Sequence, residues 1–410
     1  MTSRSRRTAL TIALAAPVLA LLAACGGTNG PGSTSSTIGS PTSPASSTAA
    51  AASASTTMSM PLSSSDSTGP SGTTSSTPAS PASKTGLTGS IWVADEKGSS
   101  LSVIDAATLK VASTVTGVPG PHNVQAMTSM PMIWATSSSS GGSAVMLDAA
   151  SLAQHGVVKV GSHPAHVVAS ADGMTAYVSN SGDGTISVID AMQMKVVATI
   201  PVGPKAHGMR LSPDGKTLVV ADMGRTTLSV IDTASRKVAG TVEVGKAPAQ
   251  VAFSPDGRFV YASLSGENKL AKVDLASRTL VGTVPVGPGP IQTFVTPDDR
   301  YVLVANQGTQ DKPGDTVSVV DTKTLTVTKT ITTGKGAHGI VIAPNGRYAF
   351  VTNTYADSVS AIDLTTLAVT ATIPVKAGPN GISYSSTVVT PRPDVAVTMA
   401  PGNNGHDGHH

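Results

Sequence analysis

The chain has 410 residues, with 27 Lys and Arg against 24 Asp and Glu, 3% aromatic residues, 41 glycines, 28 prolines and a single cysteine. One Cys excludes an internal disulfide, a Cys-rich zinc site and a C-x-x-C-H haem attachment. The surplus of three positive charges equals Arg4, Arg6 and Arg7 near the N-terminus, so the rest of the chain is neutral. A neutral chain poor in aromatics lacks the footprint of a nucleic-acid binder, and no nucleic acid is expected as a partner.

Residues 1–24 read as a secretion signal. Arg4, Arg6 and Arg7 form its positive n-region, and Ala9 to Ala24 form an apolar run shorter than the ~20 residues that span a bilayer. The run ends in Leu22-Ala23-Ala24-Cys25-Gly26, which resembles the lipobox of bacterial lipoproteins. That resemblance implies cleavage before Cys25, acylation of Cys25 with palmitate-type chains, and a lipid anchor in the cell envelope facing outside the cytoplasm. Several acyl chains bind a membrane stably where one is marginal. After Cys25, 53 of the 60 residues from 26 to 85 are Ser, Thr, Pro, Ala or Gly. Such a segment buries too little apolar surface to offset its ordering entropy. Residues 25–85 are expected to be a disordered tether reaching about 40 Å on average.

From residue 86 the chain repeats. An alternating apolar strand ends in Asp at Ser102-Val103-Ile104-Asp105, Val145-Met146-Leu147-Asp148, Ser187-Val188-Ile189-Asp190 and Ser229-Val230-Ile231-Asp232. It recurs at Ala271-Lys272-Val273-Asp274, Ser318-Val319-Val320-Asp321 and Ser360-Ala361-Ile362-Asp363. Successive aspartates are 43, 42, 42, 42, 47 and 42 residues apart. A period in the low forties with several short strands per unit is the signature of propeller blades. In one unit, His207 to Ser212 lead to the turn Pro213-Asp214-Gly215, followed by strands at Leu218 to Ala221, Leu228 to Asp232 and Val238 to Val244. Pro presets φ, Asp bonds its own turn and Gly accepts positive φ, so the turn predicts a hairpin. The first unit starts at its second strand, Ile91-Trp92-Val93-Ala94, and Asn380 to Ser385 supply its inner strand from the far end. The expected fold is all-β, a seven-bladed β-propeller of four-stranded antiparallel blades over residues 86–388. Its ring is closed by that C-terminal inner strand, and residues 389–410 form a flexible tail.

The units resemble the bacterial YVTN family of propeller repeats, on Tyr177-Val178-Ser179-Asn180 and Phe350-Val351-Thr352-Asn353 and looser copies elsewhere. The resemblance implies a seven-bladed, commonly extracytoplasmic propeller and no single activity. Relatives include the copper-bearing propeller of nitrous oxide reductase and the haem-bearing propeller of a nitrite reductase. Lactonases share the seven-bladed architecture by analogy of fold.

Repetition separates scaffold from site. The seven repeat aspartates each precede a turn and are expected to cap it. Asn180, Asp222, Asn306 and Asn353 end the second strands and are expected to be structural. Trp92, Trp134, Tyr177, Tyr261 and Phe350 share one slot and are expected to pack between blades.

The start of each inner strand differs. Its first slot holds His122, Ala165, His207, Ala249, Ile291, His338 and Asn380, and its second holds Asn123, His166, Gly208, Gln250, Gln292, Gly339 and Gly381. Four of the six histidines between residues 86 and 388 fall in these fourteen positions. Either these imidazoles bond a neighbouring blade's backbone, or His122, His166, His207 and His338 line a polar pocket with Gln250, Gln292 and Asn380. Neutral imidazoles there can hold copper or zinc, with His122, His207 and His338 as the candidate ligands at the mouth. His406, His409 and His410 are candidates in the tail. The unit ending in Asp321 carries extra residues around Gly308-Thr309-Gln310-Asp311-Lys312-Pro313-Gly314.

Three glutamates, no G-x-S-x-G elbow and no phosphate-cradling motif leave no catalytic residue to nominate. The expected function is a non-enzymatic, lipid-anchored scaffold that binds an unidentified protein or small molecule. Copper, zinc or haem handling at the mouth is the alternative, and lactone hydrolysis the third reading.

Overall fold

The computed structural model describes residues 83–138 and 141–399. Cys25, nearly all of the tether and the tail histidines His406, His409 and His410 lie outside the described residues. All regular elements among the described residues are strands. They form seven sheets, antiparallel apart from one two-residue parallel pair, and no helix among the described residues is long and apolar enough to cross a membrane.

Blade 2 spans residues 124–159, blade 3 164–201, blade 4 206–243, blade 5 248–285, blade 6 290–332 and blade 7 337–374, each with its strands in chain order from the channel outward. Blade 1 comprises residues 90–116 and takes its inner strand, Pro379–Ser385, from the C-terminal end. That strand pairs antiparallel with Ser90–Asp95, so both ends of the repeat meet in one sheet as the sequence predicts. Neighbouring inner strands touch all the way round, which closes the ring and turns the inner edge of every sheet towards the enclosed channel.

The hydrophobic core is a set of seven seams, each filled by one blade and the next. Trp92 packs against Val124 and Ile133 of blade 2, and Trp134 against Val167 and Val178 of blade 3. Tyr177 meets Leu218 of blade 4, Tyr261 meets Val302 of blade 6, and Phe350 meets Ile91 of blade 1. The shared aromatic slot is therefore the interblade wedge expected of it. Outer strands carry the opposite pattern: Thr326–Thr332 exposes all but one residue.

The repeat aspartates cap turns in every blade. In blade 2, Asp148 Oδ1 accepts from Ser151 N (2.6 Å), Ser151 Oγ (2.7 Å) and Ala150 N (3.1 Å). Asp232 and Ser235 repeat this in blade 4. Four residues after each of the seven aspartates, Leu109, Leu152, Met194, Arg236, Arg278, Leu325 and Leu367 all adopt positive φ. The same strain in all seven copies marks a device of the blade, since only a surrounding hydrogen-bonded turn holds such residues there.

Asn180, Asp222, Asn306 and Asn353 are likewise structural. Asn180 Nδ2 donates to Thr185 Oγ1 and Ser187 Oγ, both at 3.0 Å, and its Oδ1 accepts from Gly161 N at 3.1 Å. Asp95 occupies this slot in blade 1, accepting from Ser100 Oγ and Ser102 Oγ on Oδ2 while its buried Oδ1 has no protein partner.

Residues 389–399 continue the fold. Val395–Ala396 pairs parallel with the outer strand of blade 1, Val389 is fully buried, and Val395, Val397 and Met399 pack on the seam between blades 1 and 2. Arg392 N donates to Ala112 O and Thr398 N to Gln154 Oε1. The first eleven residues of the expected tail thus strap the closed blade to its neighbour.

Candidate metal centre at one mouth of the channel

Each inner strand starts at one face of the ring, and in every blade but blade 2 its pairing with the second strand slips there; in blade 2, His122 and Asn123 lie just ahead of the regularly paired strand Val124–Ala126. The register shifts fall between Pro164 and Val167, Ala206 and Met209, Pro248 and Gln250, Pro290 and Thr293, and Ala337 and Ile340. A bulge of this kind re-aims the side chains within it, and outside blade 2 the variable slots lie within or at the edge of these slips. Both slots, which strict alternation would send to opposite faces, can therefore supply groups to the mouth. Glycine fills the second slot where the next blade presses closest. A Cβ on Gly208 would collide with Ala249 O and Gln250, one on Gly339 with Asn380 O, and one on Gly381 with Asn123.

His122, His166 and His207, from consecutive blades, converge. One nitrogen from each lies within 4.8 Å of the others, with ring centroids 4.9 to 5.7 Å apart. His207 Nδ1 sits 2.9 Å from the Ala249 carbonyl oxygen. A carbonyl only accepts, so Nδ1 carries the proton and Nε2 presents a lone pair. His122 Nε2 faces that lone pair at 3.2 Å. The other side of His122 is held by a carboxylate: Nδ1 is 3.5 Å from Glu96 Oε1 and 3.1 Å from Asn380 Nδ2. Asn380 Nδ2 also donates to Glu96 Oε2 at 2.5 Å. With Nδ1 accepting from Asn380 Nδ2, His122 donates Nε2–H to His207 Nε2 as an ordinary hydrogen bond; with Nδ1–H turned to Glu96, both imidazoles present lone pairs that a metal ion can bridge. Two imidazole nitrogens on one tetrahedral zinc, each at ~2.0–2.1 Å, are about 3.3 Å apart.

His166 is fully buried, and its Nε2 has no hydrogen-bond partner. A buried polar atom without a partner carries a desolvation cost that a ligand would remove. His338 is also buried with Nδ1 unpartnered, but its ring stands 6.1 Å from that of His122. The close group thus contains His166 where the sequence pattern suggested His338, because the bulge aims the second slot of blade 3 into the mouth.

Burial, followed by repulsion from neighbouring imidazoles, holds His166 well below its usual range. The same causes bring His207 down to about 4 and His338 to about 3. These three rings are therefore neutral at pH 7, the state that ligates metals. Burial pushes the Glu96 carboxyl up, but hydrogen bonding and attraction from His122, with the Asn380 amide, outweigh it and bring Glu96 down to about 2. Glu96 is anionic and opposes the positive charge a metal would add.

The remaining slot residues divide. Asn123 Oδ1 accepts from Val167 N of blade 3 at 3.2 Å, and Gln292 Oε1 from Ile340 N of blade 7 at 3.3 Å, so both stitch seams. Gln250 bonds its own strand through Val251 N and leans on His166 Nδ1 at 3.5 Å. Asn380 serves Glu96 and His122. Glu96 itself is absent from the sequence-based candidates, although a signal for it existed. It follows the last residue of a second strand, where other blades have Ser138, Ser181, Met223, Ser265, Gln307 and Thr354, so it is the only carboxylate in that slot.

The extra residues of blade 6 lengthen a hairpin. Tyr301–Gly308 and Pro313–Asp321 extend beyond their counterparts, and the tip closes with Thr309 N donating to Lys312 O at 3.0 Å. Because Asn306 pairs with Pro290, the hairpin rises on the same face as the histidines.

A family model described as YNCE-like beta-propeller matches residues 152–256 and 254–392, more than half of the chain. No curated protein matches the sequence. Solved structures similar in fold include Kuenenia stuttgartiensis hydrazine synthase, 22% identical with a TM-score of 0.57 over 65% of this chain and 90% of that one. A functionally unknown protein from Desulfotomaculum acetoxidans is 17% identical, with a TM-score of 0.62 over 74% of this chain and 100% of that one. A putative 6-phosphogluconolactonase from Bacteroides uniformis is 16% identical, with a TM-score of 0.62 over 73% and 99%. At such identities these structures share the propeller architecture and nothing finer. Repeat, topology and family match agree: this chain is a member of the YNCE-like β-propeller family.

Proposed function

We propose that this protein is a lipid-anchored, extracytoplasmic binding propeller whose channel mouth holds one transition-metal ion, copper or zinc, on His122, His166 and His207. The observation that carries the reading is the convergence of three imidazole donors within 4.8 Å, two of them 3.2 Å apart. Three imidazoles with a free fourth position suit zinc or copper. Glu96 and Asn380 supply the outer support that fixes ring orientation at such sites. Haem fits less well, because no macrocycle enters between nitrogens 3.2 Å apart. Binding alone is assigned to the centre, with no reaction.

Titration of the EDTA-treated full-length chain with Cu(II), followed by electron paramagnetic resonance, tests this. The expected result is one tight site whose spectrum shows nitrogen splittings, retained when His406, His409 and His410 are replaced by Ala and lost in His166→Ala. A spectrum unchanged by His166→Ala overturns it. The anchor rests on Leu22-Ala23-Ala24-Cys25. In cells fed labelled palmitate, Cys25→Ser is expected to abolish labelling and release the protein from the membrane fraction. Persistence of both label and membrane attachment contradicts the anchor.

A further inference from the structure

A second feature of the channel lies further along its axis than the histidine cluster. Arg210 lies three residues after His207 on the same inner strand, about 10 Å further along the axis at strand spacing and towards the opposite mouth. Its guanidinium has five N–H donors, and the hydrogen bond it makes to protein is from Nη1 to its neighbour's carbonyl, Met209 O, at 3.2 Å. No carboxylate pairs with it among the described residues. Its nearest aromatic face, Phe294, is 6.0 Å from Cζ.

Two cavities of about 330 and 170 Å³ share Arg210, Leu211 and Phe294 in their walls. The larger also takes in Gln125, Val341 and Tyr384, and neither wall contains an acidic residue. Burial lowers the guanidinium only to about 10, so Arg210 keeps its charge at neutral pH. Arg210 is half-buried, so its charge keeps part of its water while no carboxylate among the described residues faces it. Here that charge stands at the end of a pocket whose other walls are mostly apolar, with Gln125, Thr128 and Ser383 among them, and whose volume is that of a small-molecule site.

We propose that this far mouth binds a small organic carboxylate. Its two oxygens would pair side by side with the Arg210 fork, and its apolar body would lie against Phe294, Leu211 and Val341. The fork geometry favours a planar carboxylate, and the apolar walls disfavour a bare, fully hydrated anion such as phosphate.

Calorimetric titration of the EDTA-treated full-length chain with benzoate, benzamide and inorganic phosphate tests this, since metal removal silences the histidine centre. Benzoate should bind one per chain, at least tenfold more tightly than benzamide or phosphate. Arg210→Gln should weaken benzoate at least tenfold and bring it level with benzamide, while His166→Ala leaves it unchanged. Ala169→Trp keeps the arginine but fills the larger cavity, and should abolish binding, so the proposal stays testable where Arg210→Gln fails to fold. No benzoate binding at millimolar concentration overturns the proposal. So does equal binding of benzoate and benzamide, phosphate binding as tightly as benzoate, or binding untouched by Ala169→Trp.

Discussion

Two regions of each blade carry opposite messages. The turn after the third strand is the same in all seven blades, with an Asp whose carboxylate accepts from residues two or three further on and a positive-φ residue four positions later. The start of the inner strand, at the opposite end of the hairpin, varies among the blades, holding His, Ala, Ile or Asn in its first slot. Turns held identical by repetition serve the blade. Slots released from repetition, beside a register slip that re-aims their side chains, are free to build a site. Asp232 and His207 lie in one blade, yet the first bonds Ser235 beside it and the second meets side chains from other blades.

Breaking the scaffold should cost stability and leave binding chemistry alone. Trp134→Ala, at the seam of blades 2 and 3, is expected to destabilise the fold by about 3–5 kcal/mol in chemical denaturation. The metal affinity of the fraction that remains folded should be unchanged.

Asp95 gives the comparison a dependence on pH. Burial, only partly opposed by Ser102 and Ser100, raises its pKa from 3.8 to about 7. A carboxyl whose folded pKa is raised contributes stability that is complete below its unfolded pKa near 3.8 and lost as pH rises through about 7. Asp95→Asn installs the residue that blades 3, 6 and 7 carry in this slot, and its amide can donate to Ser100 and Ser102. At about 1.4 kcal/mol per pKa unit, the variant should be more stable than the parent by up to about 4 kcal/mol at pH 8, with little difference near pH 4. Thermal melts across pH 4–8 check this, and equal melts at pH 8 would contradict it.

Changes at the mouth should do the reverse, altering binding while the fold persists. Glu96→Gln removes the carboxylate that orients His122 and should weaken metal about 10–100-fold, as outer-shell changes do, whereas His166→Ala removes a ligand and should weaken it more. Competition against a chromophoric chelator separates the two, and equal effects would deny the assigned roles. The smallest effect belongs to a single turn. Asp148→Ala should cost about 1–2 kcal/mol through its lost hydrogen bonds, measured by denaturation, with metal affinity untouched.

The ring was legible because its determinants are local and repeated. Spaced aspartates, Pro-Asp-Gly turns and an aromatic slot each report on residues close in sequence or one blade away. The mouth was legible as a set of positions, and histidines clustered there. Which of them meet was not legible. His166 occupies the second slot and His122 the first, and strict alternation would separate those slots; the bulge of blade 3 re-aims His166, while His122 sits ahead of its regularly paired strand. Glu96 escaped because it lies in the turn after the second strand of blade 1 and reaches His122 at the start of blade 2. Arg210 was hidden in the same way, since a cation on an inner strand becomes notable only when no acid faces it.

Metal content is the most direct test of the central claim. The full-length chain, exported to an oxidising compartment and carrying Ala at 406, 409 and 410, would be purified without an affinity tag and assayed for copper and zinc by mass spectrometry. One tightly held ion per chain, absent from the matching His166→Ala protein, is the predicted result. A folded chain that is metal-free as isolated, and remains so after dialysis against copper and zinc, would return the three imidazoles to the scaffold.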